Sequence, residues 1–177
     1  PTLGLTRDID ADGQPTFSAD GDDNDSDGDD DDGVTIGLLT AGDSSANATV
    51  YVSGAAPTGA RLDAWIDFNQ NGAWEASEQI ANSVLVGDIA DGDYAVPFSV
   101  PTDAVGGDTY ARFRLSTAGG LSPTGPAADG EVEDYLVEIN TPPAIGFSPL
   151  THLYEFDGSY ADSQGGPALV PDGGTLG

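Results

Sequence analysis

Twelve of the 31 acidic residues in this 177-residue chain lie between positions 8 and 32, a segment that contains no Lys or Arg. They form two groups, at 8–12 and at 20–32, and within each group the carboxylates stand two residues apart or in direct succession. Close pairs of such charges repel by about 1 kcal/mol even in water. The segment therefore folds compactly only around bound cations; otherwise it is an acidic linker or an adaptation to high salt.

The spacing of these acids indicates which cation. Alternate Asp side chains in a tight, Gly-containing loop can converge as oxygen ligands, which is what Ca²⁺ requires. We therefore predict several Ca²⁺ ions, held in part by an Asp-rich segment at residues 1–33 that joins the folded domain. The predicted ligands in this segment are Asp8, Asp10, Asp12, Asp20, Asp22, Asp23, Asp25, Asp27, Asp29 and Asp31.

The composition of the whole chain narrows its partners and location. A formal charge of -27 makes nucleic acid and anionic membrane surfaces poor partners. Without Cys the chain has no disulfide, so bound metal is the expected source of extra stability. It has neither an apolar signal-peptide core nor an apolar run that could span a bilayer. We expect a processed piece of an exported protein, located outside the cell or on its surface.

Seven short alternating segments, separated by Gly, Pro, Asp and Asn clusters, predict strands. They are Val34–Leu39, Thr49–Ser53, Arg61–Phe68, Gln79–Val86, Tyr94–Val100, Thr109–Ser116 and Glu133–Ile139. This pattern predicts an all-β fold, an antiparallel β-sandwich over residues 34–140. Apolar residues at 62, 64, 66 and 68 share one strand face, and those at 111, 113 and 115 share another. These two faces are expected to form the core.

A second calcium motif follows the third predicted strand. Residues 67–78 fit the twelve-residue loop pattern D-x-[DN]-x-[DN]-G-x₅-E, with Gly72 at the sharp turn. The predicted ligands are Asp67, Asn69, Asn71, the backbone carbonyl of Ala73, Glu75 and Glu78. Because a strand precedes the loop, we expect a calcium loop on a β scaffold rather than a helix–loop–helix unit. A solvated hairpin turn is the alternative.

The most specific motif stands at residues 130–134, which read Gly-Glu-Val-Glu-Asp. Together with Asp-Ala-Trp-Ile-Asp-Phe-Asn at 63–69, Glu-Gln-Ile at 78–80 and the Asp- and Gly-rich run at 12–34, it resembles the GEVED domain over most of residues 3–140. The resemblance implies a β-sandwich accessory domain of large bacterial surface and secreted proteins. Such a domain is usually one unit among many and has no enzymatic activity generally attached to it.

The same motif has a physical interpretation. In a strand, Glu131 and Glu133 project to one face while Asp134 projects to the other. Glu133 or Asp134 could complete a metal shell, or they could pair with Arg112 and Arg114, which also share one face. Both interpretations stay open at this point.

The chain changes character after Asn140. Residues 141–149 are Pro-rich and predict a linker, and residues 150–177 form a separate extension. Leu150–Val170 resembles the opening strands of a concanavalin-A-like (laminin-G-like) lectin domain, of which it would be only a small part. A lone apolar strand of this kind disorders, folds back, or inserts into a neighbouring copy, and insertion would give head-to-tail polymers.

Two functions follow from these features. The first is a calcium-stabilised extracellular structural protein, a self-assembling subunit of a filament, surface layer or matrix whose C-terminal strand joins neighbouring copies. The alternative is a non-catalytic accessory or adhesion module that binds glycans or displays a glycan binder. Trp65, on the strand face away from the core, is a conceivable sugar platform. We do not expect an enzyme, because His152 is the only histidine and most acids lie in turn-like runs.

Overall fold

The computed structural model describes residues 1–5, 31–142, 153, 161–168 and 170. The chain divides into two compact units, Pro1–Pro142 and Pro143–Gly177. Most of the predicted linker 141–149 and of the predicted extension strand in 150–177 lies outside the described residues. So do the predicted ligands Asp8, Asp10, Asp12, Asp20, Asp22, Asp23, Asp25, Asp27 and Asp29.

Nine strands form in the described part of the first unit, and most coincide with segments predicted from the sequence. They are β1 (Thr2–Leu3), β2 (Val34–Ile36), β3 (Leu39–Thr40), β4 (Ala46–Ser53), β5 (Ala60–Ile66), β6 (Gln79–Val86), β7 (Gly92–Phe98), β8 (Gly107–Ser116) and β9 (Glu131–Asn140). The one helical element among the described residues is a 3₁₀ turn at Ala76–Glu78. The all-β prediction is confirmed.

The strands make two sheets. In the first sheet, β4 pairs antiparallel with β7 along one edge and with β1 and β2 along the other. In the second sheet, the order is β3-β9-β8-β5-β6. All neighbours in it are antiparallel except β3 and β9, which run parallel. The arrangement is thus antiparallel, as predicted, apart from the parallel β3–β9 pair.

The prediction of one strand over Val34–Leu39 is wrong. Val34–Ile36 lies in the first sheet as β2, and Leu39 already pairs in the second sheet as part of β3. Ile36 packs against the core and Leu39 is buried within it, although the two stand three positions apart. A single strand would put them on opposite faces, because its side chains alternate with period two. Crossing between the sheets lets both residues face the same core.

The hydrophobic core lies between the two sheets. Its fully buried members include Leu62, Ala64, Ile66, Ala111, Phe113 and Leu115 from the second sheet and Ala48, Val50 and Val52 from the first. The two strand faces predicted to form the core are therefore confirmed. The packing places β5 and β8 in the middle of the second sheet, with β9 beside them.

The opposite face of the second sheet is buried as well, although it is polar. Asp63 on β5 and Arg112 and Arg114 on β8 are at most 2% exposed. The loop of residues 117–130 covers them, because Arg112 Nη1 donates to the Pro123 carbonyl (2.9 Å) and Arg114 donates to two further loop carbonyls. A layer of irregular chain, held by backbone carbonyls, thus covers the sheet where polar side chains would otherwise meet water.

The end of this loop generates a first prediction. Gly130 has a φ of +99°, and a Cβ there would stand 1.8 Å from the carbonyl oxygen of Leu115. Gly130→Ala should therefore lower the free energy of unfolding by about 3 kcal/mol, since it combines an unfavourable φ with a backbone clash. Gly125→Ala is the matched control: its φ is +92° but nothing lies within 4 Å of its Cβ position. It should lose only about 1 kcal/mol. Urea unfolding measures both, and equal losses would contradict the predicted clash.

Candidate metal loop and the acidic signature strand

The predicted calcium loop begins where β5 ends. Asp67 is 3% exposed, its N–H donates to the Tyr110 carbonyl (3.0 Å), and its own carbonyl accepts a bond from the Thr109 hydroxyl. The loop closes through the 3₁₀ turn Ala76–Glu78, directly before β6. It therefore connects two neighbouring antiparallel strands, which is the β scaffold predicted from the sequence.

The first half of the loop wraps around the Asp67 carboxylate. Oδ1 of Asp67 accepts a hydrogen bond from the N–H of Asn71 (3.2 Å), and Oδ2 accepts one from the N–H of Gly72 (2.9 Å). Asn71 Oδ1 in turn accepts a bond from the N–H of Ala73 (2.8 Å). Gly72 has a φ of +75°, the left-handed conformation that favours glycine at a sharp turn.

The second half is organised by two glutamates. The two oxygens of Glu78 accept hydrogen bonds from the N–H groups of Asn69 (3.3 Å) and Glu75 (3.0 Å). Glu75 accepts bonds from the side-chain amides of Asn69 (3.0 Å) and Asn71 (2.7 Å). The residues that supply the six predicted ligands are therefore linked to one another within a single loop.

The loop concentrates negative charge that no basic side chain within it balances. It carries three carboxylates and contains no Lys or Arg. Asp67 and Glu78 are each 3% exposed, and burial raises the pKa of Glu78 to about 7. The pKa of Glu75 is lowered instead, chiefly by the hydrogen bond from Asn71. A buried carboxylate such as Glu78 needs a proton or a nearby cation to offset the loss of hydration.

A cation at this loop would use more than acidic side chains. In the part of the chain that the structure describes, no three Asp, Glu or His side chains are gathered so that they could hold a metal ion by themselves. The amide oxygens of Asn69 and Asn71 and the Ala73 carbonyl would have to supply the remaining ligands, as the oxygen-rich shell of Ca²⁺ allows. Calcium binding at the loop stays a prediction.

On the covered face of the second sheet, the central contact is an ion pair. Arg112 binds the Asp134 carboxylate with two donors, with 2.7 Å between Nε and Oδ1, and both side chains are buried. Of the two interpretations of Asp134, the ion pair is therefore the one observed. Asp63 lies on the same face and accepts hydrogen bonds from the N–H groups of Ser83 (2.8 Å) and Leu121 (3.0 Å). Asp134 therefore joins β9 to β8, and Asp63 joins β5 to β6 and to the covering loop.

On the core side of β9, two glutamates bind the N-terminal part of the chain. Glu131 accepts a hydrogen bond from the N–H of Leu3, and Glu133 Oε1 accepts one from the N–H of Gly33 (3.1 Å). The other oxygen of Glu133 accepts a bond from the Tyr135 hydroxyl (3.0 Å). Glu133 therefore has a structural role on the face opposite the arginines, and metal ligation by Glu133 stays a prediction.

These contacts hold the two ends of the Asp-rich segment side by side. The N–H of Gly4 donates to the Tyr51 carbonyl (2.9 Å), and the N–H of Tyr51 donates to the Gly33 carbonyl (2.7 Å). The N–H of Leu5 donates to Asp32 Oδ1 (2.9 Å). Leu5 and Asp32 therefore lie beside each other, close to β4. Asp31, the one predicted ligand of this segment among the described residues, is half-buried there.

The motif Gly-Glu-Val-Glu-Asp at residues 130–134 opens β9, which we call the signature strand, and its residues have separate roles. Gly130 permits the turn into β9, Glu131 and Glu133 bind N-terminal backbone, and Asp134 binds Arg112. Residues 61–138 match the family model of the GEVED domain. No curated protein and no solved structure matches the chain.

The GEVED match begins in β5 at Arg61 and ends in β9 at Glu138. It therefore includes the candidate metal loop and most of the signature strand. It confirms the predicted resemblance for these residues but does not extend to Leu150–Val170, so the lectin-like interpretation of that stretch stays a prediction. GEVED domains occur in secreted proteins, and a domain of this kind indicates an accessory module of a larger protein. Among the described residues, no helix is long and apolar enough to cross a membrane.

Sequence reasoning missed three of the residues that hold the first unit together: Asp63, Glu131 and Tyr135. The alternation of side chains along a strand places Glu131 on one face. It does not reveal the partner of Glu131, the N–H of Leu3, which stands 128 positions away in the sequence. Asp63 enters the sequence analysis only as part of the motif at 63–69, with no role of its own. Arg112 and Arg114 on the neighbouring strand were the sequence feature that could have indicated a buried role for Asp63, because buried arginines need polar partners around them.

Trp65 does not provide the sugar platform that its strand face indicated. The side chain is 3% exposed and lies on the face that the loop 117–130 covers. A ring that is buried in this way presents no surface on which a sugar could stack. The glycan hypothesis therefore loses its strongest candidate residue and stays untested otherwise.

The Arg112–Asp134 pair generates the second prediction. Asp134→Leu leaves a guanidinium buried without its carboxylate and should lower the free energy of unfolding by about 3–5 kcal/mol. Adding Arg112→Met should recover much of that loss, because the unpaired charge is then gone as well. Asp93→Asn, at an exposed position of β7, should change stability by less than about 0.5 kcal/mol. Urea unfolding measures all three variants. A double variant as unstable as Asp134→Leu alone would contradict the account.

The third prediction concerns pH. Burial raises the pKa of Glu133 from 4.5 to about 8, so the folded state keeps this proton where the unfolded chain has lost it. The stability that Glu133 contributes is complete below about pH 4.5 and declines as pH rises towards 8. Glu133→Gln cannot ionise and should lack this decline. Relative to the parent, the variant should therefore be more stable at about pH 8 than at about pH 5. A difference in unfolding free energy that does not vary with pH would contradict the prediction.

Proposed function

We propose that this chain is a calcium-stabilised, non-catalytic accessory module of an extracellular protein. The GEVED match supports the accessory role. One observation carries the calcium part: the loop from Asp67 to Glu78 buries two carboxylates at its first and last ligand positions and contains no cation of its own.

The architecture of the loop supports Ca²⁺ over a plain turn. Its predicted ligands are all oxygen atoms, and Asp67 and Glu78 stand at the positions that contribute most charge to a twelve-residue calcium loop. The conformation of Gly72 and the linked hydrogen bonds already bend the chain around the loop interior. A bound ion would replace some of these internal hydrogen bonds as the partner of the carboxylates.

Calcium would act as a structural clamp. Extracellular calcium modules typically bind with a Kd of roughly 10⁻⁴–10⁻³ M. At a concentration about tenfold above the Kd, one site adds about 1.4 kcal/mol to stability. An ion at this loop would join the end of β5 to the start of β6. The Asp-rich segment, whose ends are fastened beside each other, offers further carboxylates for additional ions.

The non-catalytic part of the proposal rests on how the buried acids are used. Asp63, Glu131 and Glu133 accept hydrogen bonds from backbone N–H groups, and Asp134 is paired with Arg112. Groups held in this way serve the fold, whereas general acid–base chemistry needs a carboxyl group within reach of a substrate.

The hypothesis of a self-assembling filament depends on residues 150–177, most of which lie outside the described residues. It stays a prediction and is not needed for the function proposed for the first unit. Glycan binding likewise stays a prediction, and its experimental signature would be a ligand whose binding survives calcium-site substitutions that leave the fold intact.

Thermal unfolding at a series of calcium concentrations tests the proposal. The Tm of the parent should rise with Ca²⁺ and return after chelation, because the ion binds the folded state preferentially. Asp67→Asn and Glu78→Gln should each lose part of this rise, while the exposed Asp93→Asn should keep all of it. The Asp-rich segment accounts for any rise that remains in the loop variants. If both loop variants respond to calcium as the parent does, the loop is only a turn.

A further inference from the structure

A groove of about 390 Å³ lies along the edge of the second sheet. One wall is the link from β2 to β3, residues 36–38, and the other is the stretch 135–138 of β9. We call it the edge groove. It exists because the chain crosses between the sheets at Gly37-Leu38 and so turns away from β9 before the two strands can pair further.

The edge groove borders a strand that is only partly paired. On this side β9 pairs with β3 through Ile139 and Asn140 alone. Within the described residues, no strand pairs with positions 135–138 from that direction. An incompletely paired edge is a template for an added strand, since main-chain groups supply affinity and alternate side chains supply specificity.

The groove also exposes apolar surface. Leu38 on one wall is 77% exposed and Leu136 on the other is 59% exposed. Leu136 borders a second groove of about 570 Å³ that contains Tyr110 and reaches the candidate metal loop. Apolar surface is therefore continuous across β9 through the Leu136 side chain.

Acidic side chains flank this apolar surface. Asp108 on β8 stands directly opposite Glu138 on β9, and both residues are exposed. Like charges in this cross-strand position destabilise a sheet. The described arginines bind elsewhere: Arg112 and Arg114 reach carbonyls of the covering loop, and Arg61 donates to the Ser83 carbonyl. A positively charged partner would relieve the repulsion between Asp108 and Glu138.

We propose that the edge groove binds an extended, basic segment of a partner protein, which adds as a strand beside β9. Its main chain bonds to residues 135–138. Because Leu136 and Glu138 project to the same face of β9, successive side chains on that face of the added strand are an apolar residue that packs on Leu136 and Leu38 and a Lys or Arg that reaches Glu138 and Asp108. Charge complementarity selects this occupant. The C-terminal unit of a second copy, residues 143–177, contains four acids and no Lys or Arg, so it matches the acidic groove poorly.

The test uses the full chain, labelled for NMR, and three synthetic peptides. One, the Lys-Val peptide, repeats Val-Thr-Lys-Thr so that Val and Lys follow each other on one strand face, the second has Glu in place of Lys, and the third is the chain's own sequence 150–177. The Lys-Val peptide should bind at least tenfold more tightly than either of the others and should shift the amide signals of residues 135–138 most strongly. Methylating alternate backbone nitrogens of that peptide on its pairing edge should abolish binding, because an added strand needs those donors.

Matched variants separate this groove from the acidic surface in general. Asp108→Asn with Glu138→Gln should weaken binding of the Lys-Val peptide by roughly tenfold at low salt. Asp88→Asn with Asp93→Asn removes the same charge from positions outside the groove and should leave the affinity within about twofold.

Equal weakening by both pairs, shifts spread over the whole surface, or no binding of the Lys-Val peptide would overturn the proposal. Tighter binding of the 150–177 peptide would replace the partner with a second copy, and amide shifts at 135–138 produced only by a neutral oligosaccharide would replace it with a glycan.

Discussion

The buried ion pair between Arg112 and Asp134 is the contact on which the rest of this domain depends. A guanidinium without solvent is tolerable only when a carboxylate and further acceptors surround it. Asp134 supplies two acceptors, and the carbonyl of Pro123 in the covering loop supplies another. The pair therefore joins β8 to β9 and fastens an irregular loop over the sheet at the same point. It also explains why a polar sheet face can be as dry as the apolar one.

The register that this pair specifies determines what the other face of β9 can do. Arg112 stands directly opposite Asp134, so Glu131 and Glu133 are directed to the core side of the strand. There they accept hydrogen bonds from the N–H groups of Leu3 and Gly33, which lie near the two ends of the Asp-rich segment. A slip of one residue would exchange the faces and leave all these carboxylates without partners. Acids on both faces of one strand thus connect the covering loop, the sheet and the N-terminal part of the chain.

Strand positions and the two core faces could be predicted from the sequence, because both depend on local alternation. The candidate loop at 67–78 could be found for a similar reason, since its ligand spacing lies within one turn-rich segment. Prediction failed where the outcome depends on distant partners. The corner at Gly37-Leu38 arises because Ile36 and Leu39 must reach one core, and the two-residue strand β1 is held by Glu131 far along the chain. Trp65 was expected on an accessible face because nothing local indicates that residues 117–130 cover it.

Native-state amide hydrogen exchange tests the central claim, that buried carboxylates of the first unit bind backbone from three separate regions. The decisive amides are those of Leu3, Gly33 and Leu121, which donate to Glu131, Glu133 and Asp63 respectively. None of these three amides belongs to a central strand of either sheet, so slow exchange at them would reflect their bonds to the carboxylates. The account predicts that they exchange about as slowly as the amides of β8 and β9, because they are released only when the sandwich opens. Exchange at the rate of free loop amides, while β8 and β9 stay protected, would contradict it.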